Sequence, residues 1–403
     1  MTSELTITPR DLPPPIERRN LIGWAYKNLF STWFNTLLTA LALGVIYAFT
    51  KPILTWLVDQ ANFEVVKVNL RLLMTGQYPR AELWRVWLCL DLLVVNIGLS
   101  WGIWVKRRRA LGVVLITAPL ALALLPTISS PARRDLLILA IIGLIAFGAG
   151  RLGGLSLRRM AISAWVLYFP LVIILIRGFT APEGWLPVTN TNLWGGLLLT
   201  FLLTIVGILF SFPIGVLLAL GRRSQLPAIR GVSIFYIEVI RGVPLVTILF
   251  MASTMVPLFL PSGSRPNLVL RAMVGITLFS AAYLAENVRG GLQAVSQGQY
   301  EAAHALGLSG FQTMALIILP QALRIIIPVL VGLFIALFKD TSLVTTIGLL
   351  ELLGISRSVL AQPQFVSFQR EVYVFISLIY WSLSYLMSYV SQRLEVALGV
   401  GVR

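Results

Sequence analysis

Charged side chains inside long apolar runs are the residues of this sequence that could do chemistry. Glu238, Arg241, Glu286, Lys339 and Asp340 all lie at or near the depth of an apolar segment. A charge in hydrocarbon costs at least about 2.5 kcal/mol, so such residues face a partner, a cavity or a pathway. All five lie in the second half of the chain, where we therefore expect the function to reside.

Residue counts exclude several other kinds of site. A single cysteine, Cys89, excludes an internal disulfide and a Cys-rich metal site, and a single histidine, His304, excludes His-pair zinc sites and Ser-His-Asp catalysis. None of the five lysines ends the G-x-x-x-x-G-K-S/T loop that cradles nucleotide phosphates. We therefore predict no metal, catalytic or nucleotide site in this chain. If ATP supplies the energy, another polypeptide binds it.

The composition indicates a membrane protein. Of 403 residues, 57% are apolar and only 12% are charged, and the net charge is +16. A soluble domain has about 25% charged residues, so the bilayer is the expected solvent. A basic soluble protein would suggest nucleic-acid binding, but here Lys and Arg cluster in short gaps between apolar runs, as topogenic charge does. We predict contact with membrane lipids and no nucleic-acid partner.

Ten apolar runs predict an all-α integral membrane protein of about ten transmembrane helices, since each span needs about 20 apolar residues. The runs cover residues 33–50, 86–104, 110–127, 135–150, 160–178, 193–220, 231–260, 267–286, 313–337 and 372–392. A composition break near residue 185 separates a Leu- and Trp-rich group, with almost no charge at membrane depth, from the charged group. The predicted organisation is a tail at 1–32, a transmembrane extension at 33–185, a core at 186–395 and a tail at 396–403.

Basic residues in the short loops predict the orientation of the chain. With the N-terminus inside, the inner short loops contain ten Lys and Arg residues and the matching outer loops contain three. Cytoplasmic loops carry an excess of these residues. Both termini are therefore predicted to be cytoplasmic.

A short polar stretch at 296–308, between two apolar runs, predicts a capped helix. Ser296 can cap its N-terminus while Gln299 bonds back to the cap; Glu301 suits the positive end of the helix dipole. Gly307 suits a left-handed stop. Such a slim helix between two spans could dock in a groove of a soluble partner. The alternative is an ordinary capped connector.

The spacing of residues in and after this helix resembles the EAA signature of the permeases of binding-protein-dependent ABC importers. The matching residues are Glu301, Ala302, Ala303, Gly307, Ile317, Leu319 and Pro320. The resemblance implies that the C-terminal five spans form a type I ABC importer permease core, and that 296–308 is its coupling helix, which docks on the ATPase subunit. The coupling residues implied are Glu301, Ala302, Ala303 and Gly307.

Further stretches narrow this resemblance to amino-acid permeases. Residues 236–245, 280–291 and 337–343 are similar to the polar amino-acid branch of the family. Residues 33–50 and 76–80 resemble the longer permease of the general L-amino-acid systems. The resemblance implies a permease of the bacterial inner membrane that takes up L-amino acids.

The same resemblance implies a set of partners. An external amino-acid-binding protein would deliver the substrate, and a homodimer of ATP-binding subunits would hold ATP and Mg. A second permease would supply the other half of the pathway, and the long N-terminal extension of this chain favours a different, shorter chain in that role. This chain would bind no cofactor itself.

An amino acid is a zwitterion, so its pathway needs a cation for the carboxylate and an anion or carbonyl groups for the ammonium. Lys339 and Asp340 offer both signs at the end of a run containing Pro328, where an interrupted helix would expose backbone groups to substrate. The predicted pathway residues are Lys339, Asp340, Thr341, Ser342, Glu238 and Glu286. Alternatively, Lys339 and Asp340 neutralise each other or cap the break, and Glu238 and Arg241 form a brace.

Two rival functions remain. An ion-coupled secondary amino-acid transporter without an ATPase also needs intramembrane charges, but it has no reason to keep the complete signature. An intramembrane enzyme would need catalytic machinery, and the sequence contains no His pair, metal cluster or G-x-S-x-G site. The importer is therefore the preferred hypothesis.

Overall fold

The predicted all-α class is confirmed. The computed structural model describes residues 21–104, 109–125, 128–181, 183–261 and 266–398. Within these ranges every regular element is a helix, and extended pairing is limited to three isolated bridges. The chain divides into two compact units, Met1–Asn62 and Phe63–Arg403.

The first unit contains one long apolar helix. A short helix, α1 (Leu21–Leu29), precedes α2 (Trp33–Thr55), which continues through a π-helical turn at Trp56–Gln60. The Thr32 hydroxyl caps α2 by accepting a 3.2 Å hydrogen bond from the Asn35 N–H. No residue of α2 is buried within the protein. Its predominantly apolar composition is that of a span that faces lipid.

The second unit contains the remaining spans. In chain order its helices are α3 (Glu64–Thr75), α4 (Leu83–Trp104), α5 (Arg109–Ala123), α6 (Ser130–Leu152), α7 (Leu155–Arg177), α8 (Gly196–Arg222), α9 (Pro227–Arg241), α10 (Leu245–Phe250), α11 (Val256–Phe259), α12 (Leu268–Ala294), α13 (Gln297–Ala305), α14 (Gly310–Gln312), α15 (Leu319–Asp340), α16 (Leu352–Leu360) and α17 (Gln369–Leu398). A 3-10 turn at Thr341–Ile347 extends α15.

Eight helical segments of the described chain are long and apolar enough to cross a bilayer, and a bent ninth is formed by α9 with α10–α11. The sequence predicts one span over 231–260, but α9 and α10–α11 meet at 106°. The bend follows from Pro244, which has no N–H to donate and disfavours helical backbone at the residue before it. The apolar run at 110–127 yields only α5, whose 15 residues reach about 22 Å.

Close helix packing positions the spans. A Cβ atom added at Gly215 of α8 would lie 2.6 Å from Leu284 of α12, and one added at Gly98 of α4 would lie 2.7 Å from the Gly143 carbonyl of α6. Small residues allow membrane helices to approach this closely. The pairs α8–α12 and α4–α6 are therefore closely packed.

A backbone clasp joins α3 to the start of α8. Gly76 has a φ of +62° and lies directly against Gly195, while Gly196 has a φ of +58° and lies against the Leu73 carbonyl. The Gly196 N–H also donates to the Leu350 carbonyl at 2.9 Å. These left-handed conformations and close approaches favour glycine.

Arg85, one residue before the predicted run at 86–104, is a charged residue that is fully buried near the start of α4. Its guanidinium lies 2.7 Å from the Glu82 carboxylate and donates to the Pro187 carbonyl at 2.9 Å and the Thr189 hydroxyl at 3.4 Å. Burial of this charge is tolerated because an ion pair and loop oxygens replace water. The two loop residues follow α7, so the sequence around Arg85 does not reveal them.

Candidate coupling and translocation sites

The predicted short helix is present as α13. The helix begins after Ser296 and ends at Ala305, and Gly307 follows with a φ of +75°. The Leu308 N–H donates to the Ala303 carbonyl at 3.1 Å and closes the end. The left-handed stop predicted at Gly307 is thereby confirmed.

The predicted capping box at the start of α13 was wrong. The Ser296 side chain makes no capping hydrogen bond, and the Gln299 side chain instead accepts a 3.0 Å hydrogen bond from Gln321 of α15. A reciprocal capping box occurs at α14, between Ser309 and Gln312, with bonds of 3.3 and 2.9 Å. Residues 296–299 and 309–312 have the same Ser-x-x-Gln sequence. The box forms only at the second, because Gln299 of the first bonds to Gln321 of another helix.

The coupling candidates of α13 divide between two faces. Ala303 is buried, whereas Glu301, Ala302 and Gly307 are exposed. Beside them two large apolar side chains point outward, Leu306 at 80% and Phe311 at 83% exposure. This part of the protein therefore combines a short helix, an acid and exposed apolar groups on one continuous stretch of chain.

An ion-pair cluster contains two of the predicted pathway residues, Glu238 and Glu286. A guanidinium nitrogen of Arg222, at the end of α8, lies 3.1 Å from the Glu238 carboxylate and 3.4 Å from that of Glu286. Glu286 also lies 3.7 Å from Arg241 and 2.5 Å from Arg289. Glu238 and Arg241 thus pair across helices rather than with each other in the described chain. The arrangement binds α8, α9 and α12 together.

The predicted segment at 339–342 lies at the end of α15. This helix runs unbroken through Pro328, and its change of geometry comes at Thr341, whose hydroxyl donates to the Phe338 carbonyl at 2.6 Å. Lys339 is exposed, and Asp340 and Ser342 are half-buried. Within the described residues no ion pair joins Lys339 and Asp340.

Asp340 lines a small cavity. Its volume is about 20 Å³, room for about one water molecule. Ser280 of α12 and Leu245 of α10 are among the lining residues. Ser280 precedes Glu286 by six residues, or about 9 Å along α12. The structure therefore places the predicted pathway residues in two groups, one at this cavity and one in the ion-pair cluster.

Sequence reasoning missed Glu351, which is fully buried before α16. Its carboxylate caps α16 by accepting from the Leu353 and Gly354 N–H groups, each at 2.9 Å. It also accepts from the Thr345 hydroxyl at 2.6 Å and from the Tyr380 phenol of α17 at 3.0 Å. A lone acid just before a short apolar helix is the signal that could have identified it.

Comparisons with known proteins identify the family of the chain. Residues 211–398 match the family of binding-protein-dependent transport system inner membrane components. An inner membrane amino-acid ABC transporter permease protein of Escherichia coli, YhdY, is 38% identical, with 94% of this chain and 93% of that protein covered. The glutamate/glutamine/aspartate/asparagine transport system permease protein BztC of Rhodobacter capsulatus is 35% identical, with 95% of each chain covered.

A solved structure of an amino acid ABC transporter is similar to half of the chain. It is 31% identical, covers 50% of this chain and 92% of its own, and has a TM-score of 0.46. The full-length relatives carry the assignment, because the match extends over nearly the whole sequence.

Family and spans together define the class of this protein. The eight candidate spans of the described residues make it a multi-pass membrane protein of an inner-membrane family, and an ABC permease works with an ATP-binding subunit. The resemblance of the sequence to importer permeases is confirmed, and the ion-coupled alternative loses its support. The chain therefore belongs to the family of binding-protein-dependent transport system inner membrane components, among its amino-acid ABC transporter permeases.

Proposed function

We propose that this permease imports L-amino acids delivered by an external binding protein, and that it supplies one half of the pathway and one coupling helix. The observation that carries this proposal is α13, a short exposed helix that bears the EAA signature between α12 and α15. The amino-acid substrate is supported by relatives that match along most of this chain and are themselves amino-acid permeases.

Contact with the ATPase is assigned to one face of α13 and the turn that follows. Glu301, Ala302 and Gly307 are exposed there, and the adjacent Leu306 and Phe311 leave apolar surface in water. A short helix followed by such an apolar surface fits a groove on a soluble partner. Ala303 faces the permease and fixes the orientation of the helix.

The substrate pathway is assigned to the end of α15. Asp340 borders a cavity beside Ser280, and Lys339, Thr341 and Ser342 complete a polar segment next to apolar walls. Asp340 would bind the ammonium group of the substrate and Lys339 its carboxylate. Glu286 already has three guanidinium groups around it, so we assign Glu238 and Glu286 to the inner end of the pathway as braces.

The remaining organisation follows the sequence predictions. Both termini are cytoplasmic, residues 1–32 and 396–403 are tails, and the extension at 33–185 precedes the core at 186–395. A homodimer of ATP-binding subunits binds ATP and Mg, and a second, shorter permease completes the pathway. This chain contributes no cofactor and no catalytic residue.

The cycle is one of alternating access. ATP bound by the partner subunits brings the coupling helices together and opens the pathway outward, and hydrolysis returns it to the inward state. ATP must bind the outward state more tightly than the inward state, because only a difference in affinity shifts the equilibrium.

Purification from native membranes tests the proposal. The chain should co-purify with an ATPase subunit. Its rate of ATP hydrolysis should rise when the amino-acid-loaded binding protein is added, and the unloaded binding protein serves as the control. A chain that purifies alone, supports no ATP hydrolysis and moves amino acids in liposomes along an ion gradient would instead be a secondary transporter.

A further inference from the structure

Two adjacent arginines at the end of α8 contact different parts of the transport machinery. Arg223 donates a 3.1 Å hydrogen bond to the Tyr300 hydroxyl of α13, and its guanidinium lies 5.8 Å from the Tyr300 ring centroid. A cation above an aromatic face adds an attraction to the hydrogen bond. Arg223 therefore holds the proposed coupling helix through a residue one position before Glu301.

The neighbouring Arg222 contacts the ion-pair cluster instead. One of its nitrogens reaches both Glu238 of α9 and Glu286 of α12, at 3.1 and 3.4 Å. Consecutive residues at a helix end point about 100° apart, which directs the two guanidinium groups to different partners. Of these two adjacent residues, Arg223 thus contacts α13 and Arg222 contacts α9 and α12.

The contacts continue toward the cavity at Asp340. Glu238 lies on α9, and α9 joins α10 through the 106° bend at Gly242–Pro244. Leu245, the first residue of α10, lines the same cavity as Asp340. The chain therefore connects the Arg222 contact on α9, through the bend, to one wall of that cavity.

We propose that Arg222 and Arg223 form the mechanical link between the coupling helix and the pathway, so that movement of α13 shifts α9 and the wall at Leu245. This inference rests on the proposed function of α13 as a docking helix. Arg222 and Arg223 are positioning residues: they contact neither ATPase nor substrate in this assignment, and they act through Tyr300 and Glu238.

The test uses the complete transporter reconstituted in liposomes with its binding protein. R222Q and R223Q remove the charge of each arginine, and R230Q is the matched control, since the exposed side chain of Arg230 on α9 makes no hydrogen bond or ion pair in the described chain. R223K keeps a cation near the Tyr300 ring, and Y300F keeps the ring without the hydroxyl. The quantities measured are co-purification of the ATPase and the ATP hydrolysed for each amino acid transported.

We expect R222Q and R223Q to keep the ATPase subunits while the ATP consumed for each amino acid rises about five- to tenfold, in the range of coupling between distant sites. R223K should recover most of the coupling, Y300F should show a smaller loss than R223Q, and R230Q should match wild type. An unchanged ratio in both arginine variants, with the complex intact, would overturn the link. Equal uncoupling by R230Q would also overturn it, because loss of loop charge would then be the cause.

Docking is distinguished from transmission by E301K. If E301K loses the ATPase while R223Q keeps it, docking and transmission are separate, as proposed. If R223Q itself loses the ATPase, Arg223 is a docking residue and the link is wrong. If E301K keeps both the ATPase and wild-type coupling, the proposed docking role of α13 fails independently of either arginine.

Discussion

The carboxylate of Glu351 should be a major source of stability for α16. The residue is fully buried, and four donors lie within 3.0 Å of its two oxygens: the Leu353 and Gly354 N–H groups and the Thr345 and Tyr380 hydroxyls. E351Q retains one acceptor oxygen and turns an NH₂ group toward donors. The N–H donor to the replaced oxygen, such as that of Leu353, would then be left unpaired, whereas the Tyr380 hydroxyl can turn and accept from the NH₂ group.

The expected magnitude follows from that lost bond. A buried donor without a partner costs about 1–3 kcal/mol, so the unpaired N–H predicts a loss of about 1–3 kcal/mol from the free energy of unfolding. E351D should lose less, because aspartate is a good N-cap residue, yet its shorter side chain cannot serve both the α16 N–H groups and Tyr380. The order of stability is therefore wild type, E351D and E351Q.

Thermal unfolding in detergent, followed by tryptophan fluorescence, measures this order. E183Q is the control, since Glu183 is exposed and has no hydrogen bond or ion pair in the described chain. A change of charge alone would lower the midpoint of both variants equally. A midpoint for E351Q that equals that of E183Q would show that the buried carboxylate contributes no net stability, and would refute the reasoning.

Three other outcomes are expected. E301K should insert normally but lose the ATPase on co-purification, because a cation replaces the exposed acid of α13; recovery of a complete, active complex would contradict this assignment. D340A should keep the ATPase and lose uptake, with S342A as a milder comparison, and unchanged uptake of several amino acids would make Asp340 structural. G196A should destabilise the protein by roughly 2 kcal/mol, because its Cβ would lie 2.2 Å from the Leu73 carbonyl at a φ of +58°. G148A is its control, since nothing lies within 4 Å of that added Cβ, and equal stability of the two variants would contradict the clasp.

Properties that depend on near neighbours in the sequence were predictable. Hydropathy over about 20 residues identifies most spans, because each segment that crosses the bilayer must be apolar along its own length. Gly307 was predictable as a left-handed stop for the same local reason, since its φ of +75° suits a residue without Cβ. The spacing from Glu301 to Pro320 was sufficient to indicate the family.

Choices between possible partners depended on which helices pack together. Ser296 and Ser309 begin the same Ser-x-x-Gln motif. The Gln299 side chain, which would complete a capping box with Ser296, instead accepts a hydrogen bond from Gln321. Arg222 reaches Glu286 across 64 positions of sequence, a pairing that no local spacing specifies.

The sequence by itself determined the helical class, most of the spans and the family, because hydrophobic transfer and motif spacing are properties of contiguous residues. Only the tertiary structure decided the burial of Arg85, the capping role of Glu351 and the division of the pathway candidates into two groups. A buried charge or polar group is stabilised by whatever donors and acceptors the neighbouring helices bring within about 3 Å. The distance between such a group and its hydrogen-bond partner is set by packing between segments that are far apart in the chain.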